Sequence, residues 1–508
     1  MIKIDLFGFL VELSIVTISL NLAVFLIFTL LSGKILVKEC KRHWKLLLFT
    51  LIIGAIVKLL APVGELGGFS WEYIDNAFKI LENRTLRAVP HVLGTSIIHA
   101  GTIAIFGFNY SIIEGIFVII QVLSLALIAL ITFEILKNER SAMIAAAIYL
   151  FLPMNLYLSK SLLSEHYAVF FILISAYSFL IFLRVHNKSL FFLAISAFTL
   201  AAGTRVETVI FALPLLFLFF YNKAWKVFSL WEILAGLFML AIFTFNFIGW
   251  VIFPPTFGFD EPKELKHILF STCQLKYVPE QIGSNMWIFD PIMHPPAFVA
   301  LLLSFPLFYR RNRSMFWFLA LWLLTFVIFY LDYPGILFTY VPLIYVPLSM
   351  CCAVSFHELV EHSENRIGKR RAEHLISAIL LLSTMPGFVG IMSGSFEAEA
   401  RILHCTFSMD ARNLQTLEKK CILTEPLQDV TDLGDTPKRA IRMFFKEYGI
   451  FSSVEKIKES CGKEFYYFEL KRFTNKTVEE RTNKEKIKEA LKGPIYEGCT
   501  LNVWLVKE

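Results

Sequence analysis

The feature that most limits what this chain can become is a series of apolar blocks, most of them long enough to cross a lipid bilayer. A spanning helix needs roughly 20 apolar residues. Blocks near that length lie at 9–31, 46–62, 111–136, 142–158, 168–184, 190–203, 207–220, 231–253, 296–309, 315–331, 337–355 and 374–395, with 190–203 and 296–309 the shortest. Of the 508 residues, 56% are hydrophobic and 51 are Phe, against roughly 45–50% apolar content in soluble domains. The expected fold class is an all-α polytopic membrane protein with about twelve transmembrane helices. Segment 94–108 (GTSIIHAGTIAIFGF) is too short and glycine-punctuated to cross, and reads as re-entrant or interfacial backbone. The first block is too long for a signal peptide and lacks a small-residue cleavage site, so it reads as an anchor.

Sidedness follows from the loop cations, because Lys and Arg concentrate on the cytoplasmic side. GKILVKECKRHWK, KNER, RVHNK, NKAWK, YRRNR and ENRIGKRR together hold eighteen. The alternate loops, 62–93, 157–167, 203–208, 254–295 and 331–336, hold eight over many more residues. The first set is therefore expected in the cytoplasm, and the second set outside with everything after residue 395. Twelve spans would put the N-terminus outside as well. In such a chain the net charge of +6 carries no signal for nucleic acid, and none is expected as a partner.

Acids gather on the side read as outer: Glu65, Glu72, Asp75, Glu82, Glu165, Glu207, Asp260, Glu261, Glu264, Glu280, Asp290 and Asp332. Most fit solvated loop ends. Glu72, Glu165 and Glu207 are different, because they press against helix ends in short loops. Ionisable groups near hydrocarbon are costly and tend to mark function. Three short stretches carry them. SWEYIDNAFKI has a helical apolar pattern (Trp71, Ile74, Phe78, Leu81) that predicts a helix along the interface, with Glu72, Asp75 and Lys79 on one face. YLSKSLLSEHYAVF brings Ser164, Glu165 and His166 to the start of a span, and AAGTRVETVIF puts Arg205 and Glu207 in a turn between two short spans. The loop 254–295, rich in Pro and aromatics, reads as a lid or an interfacial cover.

In order, the chain offers a long first outer loop with an acid-aromatic motif, then Pro90-His91, then AIFGFN before a long span. SLLSEHY and GTRVET follow, and a polar C-terminal region closes the sequence. In this order and sidedness it resembles the GT-C membrane glycosyltransferases, nearest the protein O-mannosyltransferase and aminoarabinose-transferase branch, over roughly residues 46–350. The resemblance implies transfer of a sugar from a polyprenyl-phosphate carrier to a protein, glycan or lipid acceptor outside the cell membrane, with inversion. It also implies a first-loop carboxylate as general base. The family's adjacent Asp-Glu pair is altered here, since Trp71 precedes Glu72, so Glu72 is assigned first and Asp75 second. A carboxylate in water is a weak base near pKa 4.3, and desolvation at a cavity edge raises it toward working pH. The leaving phosphate needs cations, and the planar guanidinium fork suits it. Arg205 is the first choice, with Arg84 and Arg87 as alternatives; pairing of Arg205 with Glu207 or with lipid headgroups is the competing role. Glu165, His166, His91 and Glu207 complete the expected substrate-binding set, with Glu165 and His166 suited to an acceptor or a metal ion. No metal ligands are assigned, and a cofactor is not indicated.

Residues 396–508 change character and read as a soluble extracytoplasmic α/β domain, following a membrane domain over 1–395. CILTE, EFYYFELKRF and CTLNVWLVK predict strands; Thr436-Pro437 starts one helix and KTVEERTNKEKIKEAL forms another. Cys405, Cys421, Cys461 and Cys499 lie here, enough for two disulfides in any of three connectivities, or for free buried thiols. Asn475-Lys476-Thr477 is a glycosylation tripeptide. Two other readings stay open: a non-catalytic membrane assembly subunit, and a transporter or flippase of a lipid-linked substrate.

Overall fold

The computed structural model describes residues 6–61, 68–82, 93–243 (apart from 153, 154, 157 and 161), 303–331, 341–372 (apart from 369), 374 and 378. In the C-terminal part it describes 421–424, 449–451, 454–461, 464–470, 496–497 and 501–507. The chain forms two compact units. One is Met1–Ala61 with Lys79–Ser393, and the other is Pro62–Phe78 with Gly394–Glu508.

The first unit is a helical bundle. It comprises α1 (Leu6–Arg42) and α2 (Trp44–Leu60); α3 (Gly68–Leu81) runs across the division and is described with the second unit. Then come α4 (Gly94–Phe106), α5 (Tyr110–Leu136), α6 (Glu139–Phe151), α7 (Ser164–Val185) and α8 (Lys188–Thr204). A 3-10 turn, Val206–Phe211, leads into α9 (Ala212–Tyr221), followed by α10 (Leu230–Phe243), α11 (Arg313–Leu331) and α12 (Val341–Ile367). Among the described residues five helices are long and apolar enough to cross a membrane: Glu12–Arg42, Ser111–Leu136, Ser164–Val185, Arg313–Tyr330 and Pro342–Ser363. The chain is a polytopic, mostly helical membrane protein with a C-terminal sheet-containing domain. Large apolar side chains such as Leu30, Leu60, Ile105 and Phe238 are exposed on the bundle surface, as lipid contact requires.

Several expected blocks coincide with these helices, and the differences have local causes. The block at 142–158 stops at Phe151, because Leu152 is extended (φ −60°, ψ 125°) as the residue before a proline prefers. The block at 207–220 starts as a 3-10 turn. Segment 94–108 is a short helix, α4. Block 374–395 lies almost wholly outside the described residues, as does half of 296–309.

Two hairpins order the bundle. Asn138 caps α6 by accepting from Ser141 N at 3.1 Å, and Asn187 caps α8 by accepting from Ser189 N at 2.9 Å. Each follows a left-handed residue that closes the preceding helix, Lys137 (φ 54°) after α5 and His186 (φ 54°) after α7. The reversals are therefore only two residues long. Lipid offers no hydrophobic drive for helix association, so close packing and polar links hold the helices together. Ala194, Ala197 and Ala201 form a buried small-residue stripe on α8. Ser175 Oγ on α7 donates to Ala194 O at 2.8 Å. Asn21 on α1 links to α8 both ways, donating to Thr199 Oγ1 at 2.8 Å and accepting from Ser196 Oγ at 2.7 Å.

The second unit holds a mixed five-stranded sheet in the order β2-β1-β3-β5-β4, where β1 is Cys421–Thr424, β2 Gly449–Phe451, β3 Glu464–Leu470, β4 Tyr496–Glu497 and β5 Leu501–Lys507. β1 runs parallel to β2 and β3, and β5 runs antiparallel to β3 and β4. The three strands expected from sequence are present; β2, β4 and a short helix α13 (Val454–Cys461) were not expected. Ile457 of α13 packs with Leu423, Phe465, Tyr467 and Val506 in a small core, and Cys421–Cys461 forms a disulfide that pins α13 to β1. Cys405, Cys499 and the helices expected at 437 and 476–491 lie outside the described residues. The α3 segment does form a helix, but its buried face is Tyr73, Ile74 and Ala77. Leu81, expected on the apolar stripe, is exposed.

Candidate functional site

Among the described residues of the bundle, the site is built where α8 ends. Arg205 leaves helical geometry (φ −146°, ψ 117°), and the 3-10 turn that follows brings Glu207 back beside it. Arg205 Nε donates to Glu207 Oε1 at 2.7 Å, and Nη2 pairs with the same oxygen. Nη1 lies 3.5 Å from Glu165 Oε1 in the first turn of α7, and Ser164 Oγ donates to Glu165 Oε2 at 3.1 Å. Tyr330, near the end of α11, donates its hydroxyl to Glu207 Oε1 at 3.2 Å. Arg205, Glu165, Glu207 and Tyr330 are each more than nine-tenths buried. One guanidinium thus serves two carboxylates in a region where each buried ion costs several kcal/mol. Thr208 Oγ1 donates to Arg205 O at 2.7 Å, which fixes the turn.

The start of α4 is pressed against this turn. A Cβ on Gly94 would fall 2.3 Å from Gly203 O, so only glycine allows the approach. α4 then carries His99, fully buried and edge-on to the ring of Tyr167 at 5.5 Å. Neither of its ring nitrogens has a hydrogen-bond partner among the described residues.

A second polar cluster sits at the same end of the bundle. Lys58, in the last turn of α2, has no exposed surface. Its amine donates to Asn155 O at 2.7 Å and to Ser159 Oγ at 3.0 Å, both neutral oxygens. Gln121 on α5 donates to Ser159 O at 2.7 Å. His166 follows Glu165 on α7, hydrogen-bonds the Leu158 backbone, and stands edge-on to Phe117 at 5.3 Å. The Nε2 of His166, Oε1 of Gln121 and Oδ1 of Asn155 are buried without hydrogen-bond partners among the described residues. Buried polar atoms are paired in the great majority of proteins, so such a concentration marks a place made for a polar ligand or water.

Of the residues singled out in sequence, Glu165, His166, Arg205 and Glu207 come together here. Asp75 is half-buried on α3, in the segment that belongs to the second unit. Glu72 lies on the same helix, with its side chain outside the described residues, and Arg84, Arg87, His91, the 254–295 loop and Asp332 lie outside them altogether. Sequence reasoning missed Lys58, His99, Gln121 and Tyr330. Lys58 had a legible signal, an ionisable residue inside the apolar run AIVKLL, of the kind that marks function. Tyr330 had none, since its partner lies 123 residues away.

No protein-family model and no curated protein matches this chain. Among solved structures it is similar to ArnT from Cupriavidus metallidurans bound to undecaprenyl phosphate, at 11% identity and a TM-score of 0.53, over 92% of this chain and 98% of that one. The same protein in its apo state aligns over the same shares at 10% identity and a TM-score of 0.49. At that identity the likeness speaks for architecture. With the helical bundle and the C-terminal sheet in view, the chain shares the fold of the undecaprenyl-phosphate-bound ArnT structure.

Proposed function

We propose that this chain is an integral-membrane glycosyltransferase that moves a sugar from a polyprenyl-phosphate carrier to an acceptor outside the cell membrane, with inversion. The observation that carries the proposal is the buried Glu165–Arg205–Glu207–Tyr330 cluster beside Lys58, at one end of a bundle that shares its fold with a protein bound to undecaprenyl phosphate. The loop cations argue that this end faces outward, with the C-terminal domain on the same side. In this reading residues 1–395 form the membrane domain and 396–508 the extracytoplasmic one. The bilayer, the lipid-linked donor and a protein, glycan or lipid acceptor are the partners.

In the proposed reaction an acceptor hydroxyl attacks the anomeric carbon. The bond to the carrier phosphate breaks, and the proton passes to a carboxylate. Glu72 is the proposed base, with Asp75 as the alternative on the same helix. The departing phosphate needs positive charge and donors. Lys58 suits this role, since its amine meets only neutral oxygens among the described residues. Arg205 suits it through its planar guanidinium fork, which matches phosphate geometry. Arg84 and Arg87 remain alternatives. His166, whose Nε2 has no hydrogen-bond partner among the described residues, is proposed to contact a sugar or acceptor hydroxyl, and His91 is proposed as a further member of the binding set. Glu165 and Glu207 hold Arg205 in position.

The test is sugar transfer from radiolabelled polyprenyl-phosphate sugars by the purified chain, with Glu72→Gln and Asp75→Asn beside the parent. Loss of transfer with donor binding retained in one variant identifies the base. General acid–base help contributes about 10²–10⁴-fold, so a fall of that order is expected. Trp71 in place of the family's Asp favours one rival, a non-catalytic assembly subunit. Donor binding without transfer from any donor, in parent and variants alike, would establish that rival.

A further inference from the structure

The opposite end of the same helices carries a second cluster, which the proposed transfer does not use. On α7, Glu165 and Arg184 are 19 residues apart, about 28 Å along a helix. Arg184 Nη2 lies 2.8 Å from Glu39 Oε1 on α1, and Nη1 lies 2.9 Å from Glu134 Oε1 on α5. Between those carboxylates sits His43, at the single-residue break between α1 and α2, its ring tilted by 51° against Phe133 with centroids 4.2 Å apart. One ligand atom from each of Glu39, His43 and Glu134 lies within 4.8 Å of the other two. His43 Nε2 is 3.9 Å from Glu39 Oε2, too far for a hydrogen bond.

Two facts point to a missing partner. His43 is 97% buried, yet neither ring nitrogen has a hydrogen-bond partner among the described residues, and Glu39 Oε2 beside it has none either. A buried polar atom left unpaired is costly, and three of them share one small space. Arg184 meanwhile holds the other oxygen of Glu39 and one oxygen of Glu134, as outer partners hold ligating carboxylates in metal sites. Among the described residues Glu134 Oε2 is engaged by Lys137 alone, at 2.5 Å, and the Lys137 side chain is 54% exposed.

We infer that Glu39, His43 and Glu134 form a binding site for a divalent transition cation of the zinc type. One imidazole nitrogen and two carboxylate oxygens would supply three ligands and leave a position for water. Donors about 2.1 Å from a shared tetrahedral ion stand about 3.4 Å apart, so the ligand atoms would draw in by up to about 1.4 Å on binding, within the reach of side-chain rotation. The ion would tie α1 to α5 at the point where the chain turns into α2. It would therefore brace the bundle from the end away from the transfer site. The inference is independent of the proposed glycosyl transfer.

The test uses the full chain purified in detergent, stripped with EDTA and titrated with Co²⁺, whose visible spectrum reports coordination, and with Zn²⁺ in competition. The parent should bind one equivalent and unfold at a higher temperature with Zn²⁺. Both effects should fall at least tenfold in affinity or vanish in His43→Gln and Glu39→Gln, and should survive in His362→Gln on the exposed end of α12. A His43→Cys variant keeps a donor atom at the position and should add a thiolate-to-cobalt charge-transfer band. No stoichiometric binding by the parent overturns the assignment, whatever the variants do. Unchanged binding in folded His43→Gln, or a His43→Cys spectrum without that band, also overturns it.

Discussion

Removing the guanidinium of Arg205 should be among the most damaging single changes in the bundle. Arg205→Met keeps much of the side-chain volume but leaves Glu165 and Glu207, both more than nine-tenths buried, without their shared cation. Breaking a buried ion pair from one side costs about 3–5 kcal/mol. Glu207→Gln is milder, because its amide oxygen still accepts from Tyr330 and from Arg205 Nε. Loss of the charged acceptor there costs about 1.5–3 kcal/mol. The two changes act on one contact of 2.7 Å, so they should not add. In the double variant the orphaned Glu207 charge is gone, and its cost should fall short of the sum by about 1–3 kcal/mol. The assay is denaturant unfolding in detergent micelles followed by tryptophan fluorescence, for the parent, both single variants and the double variant. A double variant whose cost equals the sum within about 0.5 kcal/mol would refute the claim that Arg205 and Glu207 act as one buried unit.

Three further outcomes are expected. Gly94→Ala should destabilise the bundle by several kcal/mol or abolish expression, because its Cβ would meet Gly203 O at 2.3 Å. Gly101→Ala on the same helix meets nothing within 4 Å and should gain about 0.5–1 kcal/mol in helix propensity, so thermal melts of the two should move in opposite directions. Lys58→Met should leave stability within about 1 kcal/mol of the parent or raise it, as replacing buried polar groups by apolar ones of similar shape often does, while donor binding measured with the radiolabelled carrier falls. Reduction of Cys421–Cys461, 40 residues apart, should cost the C-terminal unit about 4 kcal/mol by loop entropy, read as a lower unfolding midpoint in reducing buffer and reproduced by Cys461→Ser.

What could be read in advance follows the range of the forces involved. The apolar run at 46–62 anticipated α2 (Trp44–Leu60) closely, because bilayer thickness imposes length on sequence. The run at 142–158 overshot, because a hydropathy count does not register that the residue before Pro153 turns extended. Arg205 and Glu207 could be named as partners from two-residue spacing. Their union with Glu165 across 40 residues could only be guessed from loops converging at one end. Tyr330 enters through packing between distant helices, which no local pattern encodes, whereas Lys58 left a local trace as a lone cation in the apolar run AIVKLL. The strand EFYYFELKRF was visible because its aromatic residues prefer a pleated, half-buried surface. The three-residue β2, Gly449–Phe451, is too short to leave such a trace.

The two-residue reversals at Lys137-Asn138 and His186-Asn187 bear on how the protein is made. Helices joined so tightly cannot be released into lipid one at a time with slack between them. α5 with α6, and α7 with α8, should leave the insertion machinery as ready-paired units, each with its interhelical contacts largely formed. A ribosome stalled after residue 136 or after residue 185 would therefore present half of such a unit, with Ala194 and its neighbours still missing from the face of α7 they cover. Quality control during synthesis would meet its first recognisable defects at those two points.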